Sequence, residues 1–352
     1  MTPDRPVANG APVLVPVLPN HRFDEAALAR YLAGHLPGFA GPCEIRQFQG
    51  GQSNPTFHLG TATGQYVLRK KPPGTLLPSA HAVDREYRIL GALRNSGVPV
   101  PAVHLLCTDE SVIGTMFFVM DYREGRVFAD RALPSLSSAD RAAIYDDMGR
   151  VLAQLHGVDW RGAGLEGFGR PGNYIGRQID RWSKQYAGAR VGDEPAMDRL
   201  MAWLAAHAPV PDETTIAHGD YRLGNLIIHP TEPRVIAVLD WELATLGHPL
   251  ADLAYSCLAW RLPPELQGIQ GLDVPGLPSE AEYVRNYCRW TGRAEVPDME
   301  FFVAFSLFRW AAIAAGVYRR ALDGTAADAR GQEAGEKFRS LAEYGWRTAQ
   351  AA

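Results

Sequence analysis

The chain has 352 residues, of which 46% are hydrophobic and 21% charged, a composition typical of a globular protein with room for two lobes. Its net charge of −4 and its lack of a Lys/Arg-rich run argue against a nucleic-acid or membrane partner. The four cysteines lie far apart and form no CxxC pair, which argues against a zinc site or a disulfide framework and favours a cytoplasmic location.

The first third of the chain predicts a small sheet with one inserted helix. The prolines of "APVLVPVLP" favour an extended arm over the helical core of a signal peptide. Helices are predicted over 23–36, capped by Asp24, and over 79–97, starting near Ser79. Strands are predicted in five apolar runs, at 43–49, 56–60, 65–70, 102–107 and 114–122.

Helical patterns dominate the remainder. The apolar run 301–318 is interrupted by Arg309, which predicts a buried helix rather than a membrane span. A hairpin is predicted within 225–242, and a connector near 121–126 separates a β-rich lobe from a helical one. A cleft between two lobes is a usual place for a small-molecule site. The predicted helices cover 138–156, 173–188, 195–207, 249–260, 279–291, 299–321 and 331–350.

The predicted hairpin is the part of the sequence that is most informative about function. Its turn, "PTEP", sets His229 opposite Arg234, and an unbroken ladder then sets Asn225 opposite about Val238, two positions from Asp240. Asp220 lies in the loop that leads to the same end. Carboxylate and amide oxygens suit Mg²⁺, and this spacing is typical of phosphoryl transfer, where one Asp takes a proton and the others hold metal. The alternative is a turn that is merely rich in polar residues.

These motifs together carry a family resemblance. "HGDYRLGN" (218–225) followed by "VLDWELATLGHPLADLAY" (238–255) resembles the aminoglycoside phosphotransferase family, a relative of the choline kinases with a protein-kinase-like fold. "GGQSNPT", "VLRKKPPG" and "HPLADLAY" are similar to the kinase-like domain that occurs alone in bacteria or fused to acyl-CoA dehydrogenases. The resemblance implies a bilobal α+β fold, with an N-lobe over 1–120, a hinge over 121–126 and a helical C-lobe over 127–352.

The resemblance also implies roles for the residues of the catalytic loop and the hairpin. Asp220 is expected to be the catalytic residue, and Asn225 and Asp240 are expected to hold Mg²⁺, with ATP as the phosphate donor. Three further residues have supporting roles: His218 orients the loop, Asp252 accepts its backbone amides, and Glu242 is either a group beside the metal ligands or an ordinary acid at the hairpin end.

The loop before the second strand of the small lobe is expected to cover the phosphates. Gly50 and Gly51 let the backbone approach a phosphate, and Ser53 and Asn54 add hydrogen-bond donors. A plain hairpin turn is the alternative.

One cation of the next strand is expected to reach the α- and β-phosphates. The resemblance favours Arg69, and Lys70 on the opposite face of the strand stays open. Glu86 is the expected ion-pair partner, with Asp84 as the competitor.

Adenine contacts are expected from the backbone of the connector between the lobes. They are placed at Met120, Asp121 and Tyr122.

The expected function is that of an ATP-dependent kinase of a small hydroxylated molecule. Arg309, Arg319 and Arg320 outnumber Glu300 on the helix predicted over 299–321, which favours a neutral or anionic acceptor unless these arginines form structural ion pairs. The resemblance also points to hydroxylated acyl groups such as a hydroxyacyl-CoA. The alternatives are an aminoglycoside O-phosphotransferase, a pseudokinase that binds nucleotide without transfer, and a hydrolase that uses two carboxylates. The sequence gives no indication of the oligomeric state.

Overall fold

The computed structural model describes Gly10 and residues 12–49, 54–72, 82–209, 212–323 and 331–352. The chain forms two compact units. The first unit comprises Met1–Val151, Arg161–Leu165 and Leu223–Ala244, and the second comprises Leu152–Trp160, Glu166–Arg222 and Thr245–Ala352. These units divide the chain at other places than the predicted lobes over 1–120 and 127–352, whose bounds stay a prediction.

The first unit contains a six-stranded antiparallel sheet in the order β1-β2-β3-β4-β6-β5. The expected N-terminal arm adds an edge strand, because Leu14 pairs with Phe48. A separate two-stranded hairpin, β8–β9, belongs to the same unit. The strands of this unit are β1 (Leu14–Val15), β2 (Glu44–Phe48), β3 (Thr56–Gly60), β4 (Gln65–Lys70), β5 (Val103–Cys107), β6 (Phe117–Asp121), β8 (Leu226–Ile228) and β9 (Val235–Val238).

Two helices of the first unit are inserted between its strands. Helix α1 (Glu25–His35) lies between β1 and β2, and α2 (Val83–Leu93) lies between β4 and β5. The predicted cap of α1 is present, since the Asp24 carboxylate accepts a hydrogen bond of 2.8 Å from the Ala27 amide. Ser79, the predicted start of α2, lies outside the described residues, and Ala82 precedes the helix without a capping side chain. The core under the sheet includes Leu28, Leu32, Phe57, Leu68 and Phe117.

The hairpin departs from an unbroken ladder at one point. The His229 amide donates to the Arg234 carbonyl at 2.8 Å, so the predicted turn register is confirmed. Between the pairs Ile228–Val235 and Ile227–Ala237 the register shifts, which leaves Ile236 as an extra residue. Such a bulge moves every later pair by one position.

The second unit is mainly helical and contains one short antiparallel strand pair, β7 (Thr215–Ala217) with β10 (Thr245–Gly247). Strands of three residues are too short to show a clear alternation of apolar and polar residues, and the sequence analysis did not predict this pair. The helix α3 (Ser138–His156) passes from the first unit into the second. The other helices are α4 (Tyr174–Ala189), α5 (Pro195–Ala206), α6 (Pro249–Arg261), α7 (Glu280–Thr291), α8 (Met299–Leu322) and α9 (Gly331–Gln350).

Helix α8 is the central element of the second unit. By length and composition alone it could cross a membrane, but 78% of its most apolar window is buried inside the structure. Even Arg309 in its middle is only 7% exposed. Its apolar residues therefore form protein core, as the sequence predicts.

Candidate functional site

A cavity of about 310 Å³ lies within the first unit. Its wall includes the apolar side chains Val67, Leu90, Phe118, Met120, Ile227 and Val238. Polar groups line it as well, namely Arg69, Glu86, Asn225 and Asp240. An apolar cavity with a few convergent polar groups is the usual form of a small-molecule site.

Arg69 connects two carboxylates at this cavity. Its Nε lies 2.8 Å from Glu86 Oε2, and its Nη2 lies 2.8 Å from Asp240 Oδ1. The Arg69 side chain is 14% exposed. Burial alone would lower the pKa of Arg69, but the charges of Glu86 and Asp240 raise it overall, so the guanidinium remains charged.

Glu86 is the buried member of this group, with a side chain only 3% exposed. Burial raises the pKa of its carboxyl from 4.5 to about 7, because desolvation outweighs the attraction of Arg69. The negative charges of Asp240 and Glu242 act in the same direction as burial. Glu242 therefore affects this cluster through its charge, whereas its role toward a metal stays a prediction.

Asn54 links the loop before β3 to this cluster. Its Nδ2 donates to Glu86 Oε1 at 2.7 Å, and its side chain is buried. The other loop residues expected at the phosphates, Gly50, Gly51 and Ser53, lie outside the described residues. Glu86 thus accepts a hydrogen bond from Asn54 and forms an ion pair with Arg69.

The structure separates the two candidate cations of β4. Arg69 lines the cavity, whereas Lys70 is buried on the other face, with its Nζ 5.8 Å from the ring centre of Phe23 and 5.9 Å from that of Phe57. Burial lowers the pKa of Lys70. The geometry therefore favours Arg69 as the phosphate-facing cation.

The bulge determines how the metal-ligand candidates lie on the hairpin. The Leu239 amide donates to the Asn225 carbonyl at 2.8 Å, so Asn225 lies opposite Leu239 and not opposite Val238, as an unbroken ladder predicts. Asp240 follows directly, with φ 66° and ψ 61°. The extra residue in β9 thus shortens the offset between Asn225 and Asp240 from two positions to one.

The donor set of Asn225 and Asp240 fits a hard cation. One Asp240 oxygen binds Arg69, and 34% of the Asp240 side chain is exposed. Among the described residues, no three His, Cys, Asp or Glu side chains cluster as a self-sufficient metal site. A carboxylate and an amide oxygen that leave most ligands to water and phosphate match the way Mg²⁺ binds with nucleotides.

The connector residues also line this cavity. Met120, Asp121 and Tyr122 all contribute to its wall. The Asp121 amide donates to the Ala102 carbonyl at 2.8 Å, and its carboxylate lies 2.7 Å from His104 Nε2, so both groups are occupied within the protein. Met120 is likewise paired in the sheet, with Val67 on β4 and Val103 on β5, so the contacts of the connector with a base stay a prediction.

The loop that contains Asp220 belongs to the second unit, and its backbone is bound by the Asp252 carboxylate on α6. Asp252 accepts hydrogen bonds from the His218 amide at 2.5 Å and the Gly219 amide at 2.8 Å, which is the predicted contact. His156 Nε2 lies 3.6 Å from Asp252 Oδ2. Although burial would raise the pKa of Asp252, the interactions with His156 and with the loop hold it below its usual value.

His218 has the orienting geometry that was expected of it. Its side chain is fully buried, and its Nδ1 accepts a hydrogen bond of 3.2 Å from the Asp220 amide. The ring therefore fixes the backbone that carries Asp220. Gly219 between them has a φ of 84°, a left-handed conformation that favours glycine.

Two residues that the sequence reasoning did not assign contact the Asp220 carboxylate, and Arg309 contacts the loop and one of them. Tyr255 Oη donates to Asp220 Oδ1 at 2.5 Å, and Arg222 Nε donates to Asp220 Oδ2 at 3.2 Å. Arg309 donates to the Gly219 carbonyl and lies over the Tyr255 ring. The sequence could have indicated Tyr255 as a site residue, because it lies three residues after Asp252 and therefore on the same face of the helix.

The placement of Arg309 corrects one inference from the sequence. Its buried guanidinium contacts the loop backbone and an aromatic ring, and Arg319 pairs with Asp323 at 3.0 Å. Glu300 in turn binds Arg261 at 2.7 Å. These contacts occupy Arg309 and Arg319 within the protein, so these two arginines give no support for an anionic acceptor, and the charge of the acceptor stays a prediction.

The sequence model of the phosphotransferase enzyme family matches residues 44–300, well over half of the chain. The chain belongs to the phosphotransferase enzyme family. A solved structure from Ralstonia eutropha, described provisionally as an aminoglycoside phosphotransferase, is 49% identical with a TM-score of 0.86 and covers 94% of this chain and 99% of that one. The protein-kinase-like α+β fold and the family resemblance seen in the sequence are thereby confirmed.

Two further comparisons concern a curated relative and a solved structure of the same fold. Acyl-CoA dehydrogenase family member 10 of Mus musculus is 49% identical over 347 residues, which cover 97% of this chain but 32% of that protein. The chain spans 32% to 43% of the lengths of such curated relatives. A mutant aminoglycoside phosphotransferase solved with AMP-PNP and hygromycin B shares the fold, with 18% identity, a TM-score of 0.59 and coverage of 92% and 98% of the two chains.

Proposed function

We propose that the protein is an ATP-dependent kinase that transfers the γ-phosphoryl group to a hydroxyl of a small molecule. The observation that carries this proposal is the cavity of the first unit, in which an apolar wall is combined with Arg69, Asn225 and Asp240. The apolar side chains suit a purine base, and the polar groups suit a triphosphate with its cation. The complex of the family relative with AMP-PNP supports nucleotide use.

In this proposal the residues of the first unit bind and orient the nucleotide. Backbone groups of the connector, within Met120, Asp121 and Tyr122, contact the base. Arg69 neutralises charge on the α- and β-phosphates while Glu86 fixes its position. Asn225 and Asp240 would hold Mg²⁺, which supplies positive charge to the phosphate oxygens when it is bound. Positioning and charge stabilisation then provide most of the catalysis.

Asp220 in the second unit is proposed as the residue that orients the acceptor hydroxyl and receives its proton. The bond between that oxygen and hydrogen breaks as the oxygen bonds to the γ-phosphorus, and ADP is the leaving group. A carboxylate held by its backbone and by two side-chain donors is well placed for this role. A general base of this kind contributes about 10²–10⁴-fold to the rate.

The decisive experiment is the Asp220→Asn variant. We expect nucleotide affinity to persist and turnover to fall by about 10²-fold or more, because the amide keeps the shape but cannot take the proton. ADP release measures turnover, and stabilisation by Mg-ATP on thermal melting measures binding. Near-normal turnover would overturn the assignment of Asp220.

The acceptor is proposed to be a hydroxylated metabolite, with hydroxyacyl-CoA thioesters as the first class to test. The support is the set of relatives named as acyl-CoA dehydrogenases, of which this chain matches only a part. Activities joined in one chain commonly act on a shared metabolite.

A panel of acceptors distinguishes this class from its rivals. It contains 2-, 3- and 4-hydroxyacyl-CoAs, sugars, amino alcohols and aminoglycosides, each with ATP and with GTP. Preference for an aminoglycoside would favour antibiotic phosphorylation, the activity by which the Ralstonia eutropha structure is described. Binding of Mg-ATP without ADP release for any acceptor would favour the pseudokinase alternative.

We also infer a cytoplasmic location. All four cysteines are free, and Cys107, Cys257 and Cys288 are buried, which suits a reducing compartment. Fractionation of the source cells tests this inference.

A further inference from the structure

The carboxylate of Asp220 has a partner on a different element of the second unit. Tyr255 Oη on α6 lies 2.5 Å from Asp220 Oδ1, a distance typical of a strong bond between a hydroxyl and a carboxylate. The bond joins residues 35 positions apart, so it restrains the side chain of Asp220 independently of the loop backbone. The loop contacts of Asp252 and His218, by contrast, restrain only the backbone.

The Tyr255 hydroxyl is a permanent donor in this arrangement. Burial and the negative charge of Asp220 raise the pKa of Tyr255 far above its usual value, despite the opposing charge of Arg309. The phenol therefore keeps its proton, and its hydrogen bond always points at the carboxylate. The hydrogen bond from this phenol accordingly restrains Asp220 Oδ1.

Arg309 supports this tyrosine from the other side. Its guanidinium carbon lies 5.0 Å from the centre of the Tyr255 ring, and the same group donates to the Gly219 carbonyl. One buried cation thus contacts both the ring that holds the Asp220 side chain and the loop that carries it. A cation over an aromatic face is attracted to it, and more strongly where water is excluded.

We propose that Tyr255, supported by Arg309, is a positioning residue that holds the Asp220 carboxylate in the orientation needed to receive the acceptor's proton. Tyr255 does not exchange its own proton during the reaction. With Oδ1 occupied by the phenol, Oδ2 is the oxygen directed at the acceptor, and its contact with Arg222 at 3.2 Å is the longer and weaker of the two. This inference rests on the proposed function of Asp220.

The test is the Tyr255→Phe variant, which removes the hydroxyl and keeps the ring under Arg309. With the best acceptor of the panel above, we expect kcat to fall by roughly ten- to a hundredfold, the effect of losing one hydrogen bond to a charged group. The KM for ATP should remain unchanged. The matched control is Tyr283→Phe, which removes another buried hydroxyl that binds Ser256 of the same helix at 2.9 Å, and which should leave kcat unchanged.

A double-mutant cycle separates positioning from a general loss of structure. In the Asp220→Asn background, Tyr255→Phe should have no further effect on kcat, because the oriented carboxylate is already absent. Equal effects of Tyr255→Phe in both backgrounds, or an unchanged kcat in the single variant, would overturn the inference and leave Asp220 in place. Near-normal turnover of Asp220→Asn alone would instead overturn the proposed function.

Discussion

The two units use their charged residues in different ways. In the first unit, Arg69 is paired with Glu86 and with Asp240, and Asp240 is 34% exposed at a cavity. In the second unit, the Asp252 side chain is 3% exposed and is occupied by two backbone amides. The first arrangement offers charges that an incoming phosphate and cation can engage, whereas the second fixes a loop. Ligand binding needs accessible groups, and a reacting group needs a rigid support.

The largest expected effect is a loss of stability when the buried Asp252 carboxylate of the second unit is removed. Asp252→Ala leaves the amides of His218 and Gly219 without their acceptor in the protein interior. Unsatisfied buried donors cost about 1–3 kcal/mol each, so we expect the free energy of unfolding to fall by roughly 2–6 kcal/mol. Urea unfolding measures the change.

An exposed acid provides the control for Asp252→Ala. Asp323 pairs with Arg319 at the surface, and Asp323→Ala should change the free energy of unfolding by less than about 1 kcal/mol. A loss in Asp252→Ala no larger than in this control would show that the loop does not depend on Asp252.

The next largest effect is expected on the KM for ATP, when the Arg69 cation at the cavity of the first unit is removed. Arg69→Met removes the cation that lies between Glu86 and Asp240, and we expect the KM for ATP to rise about tenfold or more, as is usual for the loss of a hydrogen bond to a charged group. Arg69→Lys should restore little of this, because one ammonium cannot reproduce the planar contact with both carboxylates. Steady-state ADP release gives both constants.

The neighbouring cation serves as the matched control for Arg69. Lys70→Met has a similar volume and removes the charge that lies near Phe23 and Phe57. It should leave the KM for ATP unchanged. A large rise in KM for Lys70→Met, with none for Arg69→Met, would reverse the assignment of the two cations.

The long helices and the hairpin were predictable from the sequence, and the short strand pair of the second unit was not. Helix α3 has the predicted bounds, 138–156, because its apolar residues repeat over several turns. The strands β7 and β10 have three residues each and give no periodic signal. The bulge at Ile236 also left no sequence signal, although it determines the offset between Asn225 and Asp240.

Within the candidate site, the sequence located residues that share a motif or a strand register. Asp220, Asn225 and Asp240 were placed by spacing, and the contact of Glu86 with Arg69 was expected from the family resemblance. The contact between Arg309 and Gly219 joins residues 90 positions apart. Such contacts depend on how the helices pack, and that packing cannot be inferred from a single sequence. The sequence showed Arg309 within an apolar helix, but it did not indicate the partner of this side chain.

A pH dependence of stability is expected from Glu86, the buried carboxyl that is paired with Arg69. The pKa of Glu86 is about 7 in the folded protein and 4.5 ordinarily, so the folded protein holds this proton more tightly than the unfolded chain. Its ionisation therefore costs stability as pH rises through this window, and the cost is constant above it. Glu86→Gln removes the titration and keeps an oxygen that can accept from Asn54. The free energy of unfolding of the wild type minus that of Glu86→Gln should thus decrease between about pH 4.5 and pH 7 and then level off. Urea unfolding of both proteins below, within and above the window measures this difference. An increase through the window would mean that attraction to Arg69 outweighs the burial of Glu86, and that the cluster is a tight ion pair rather than a strained one.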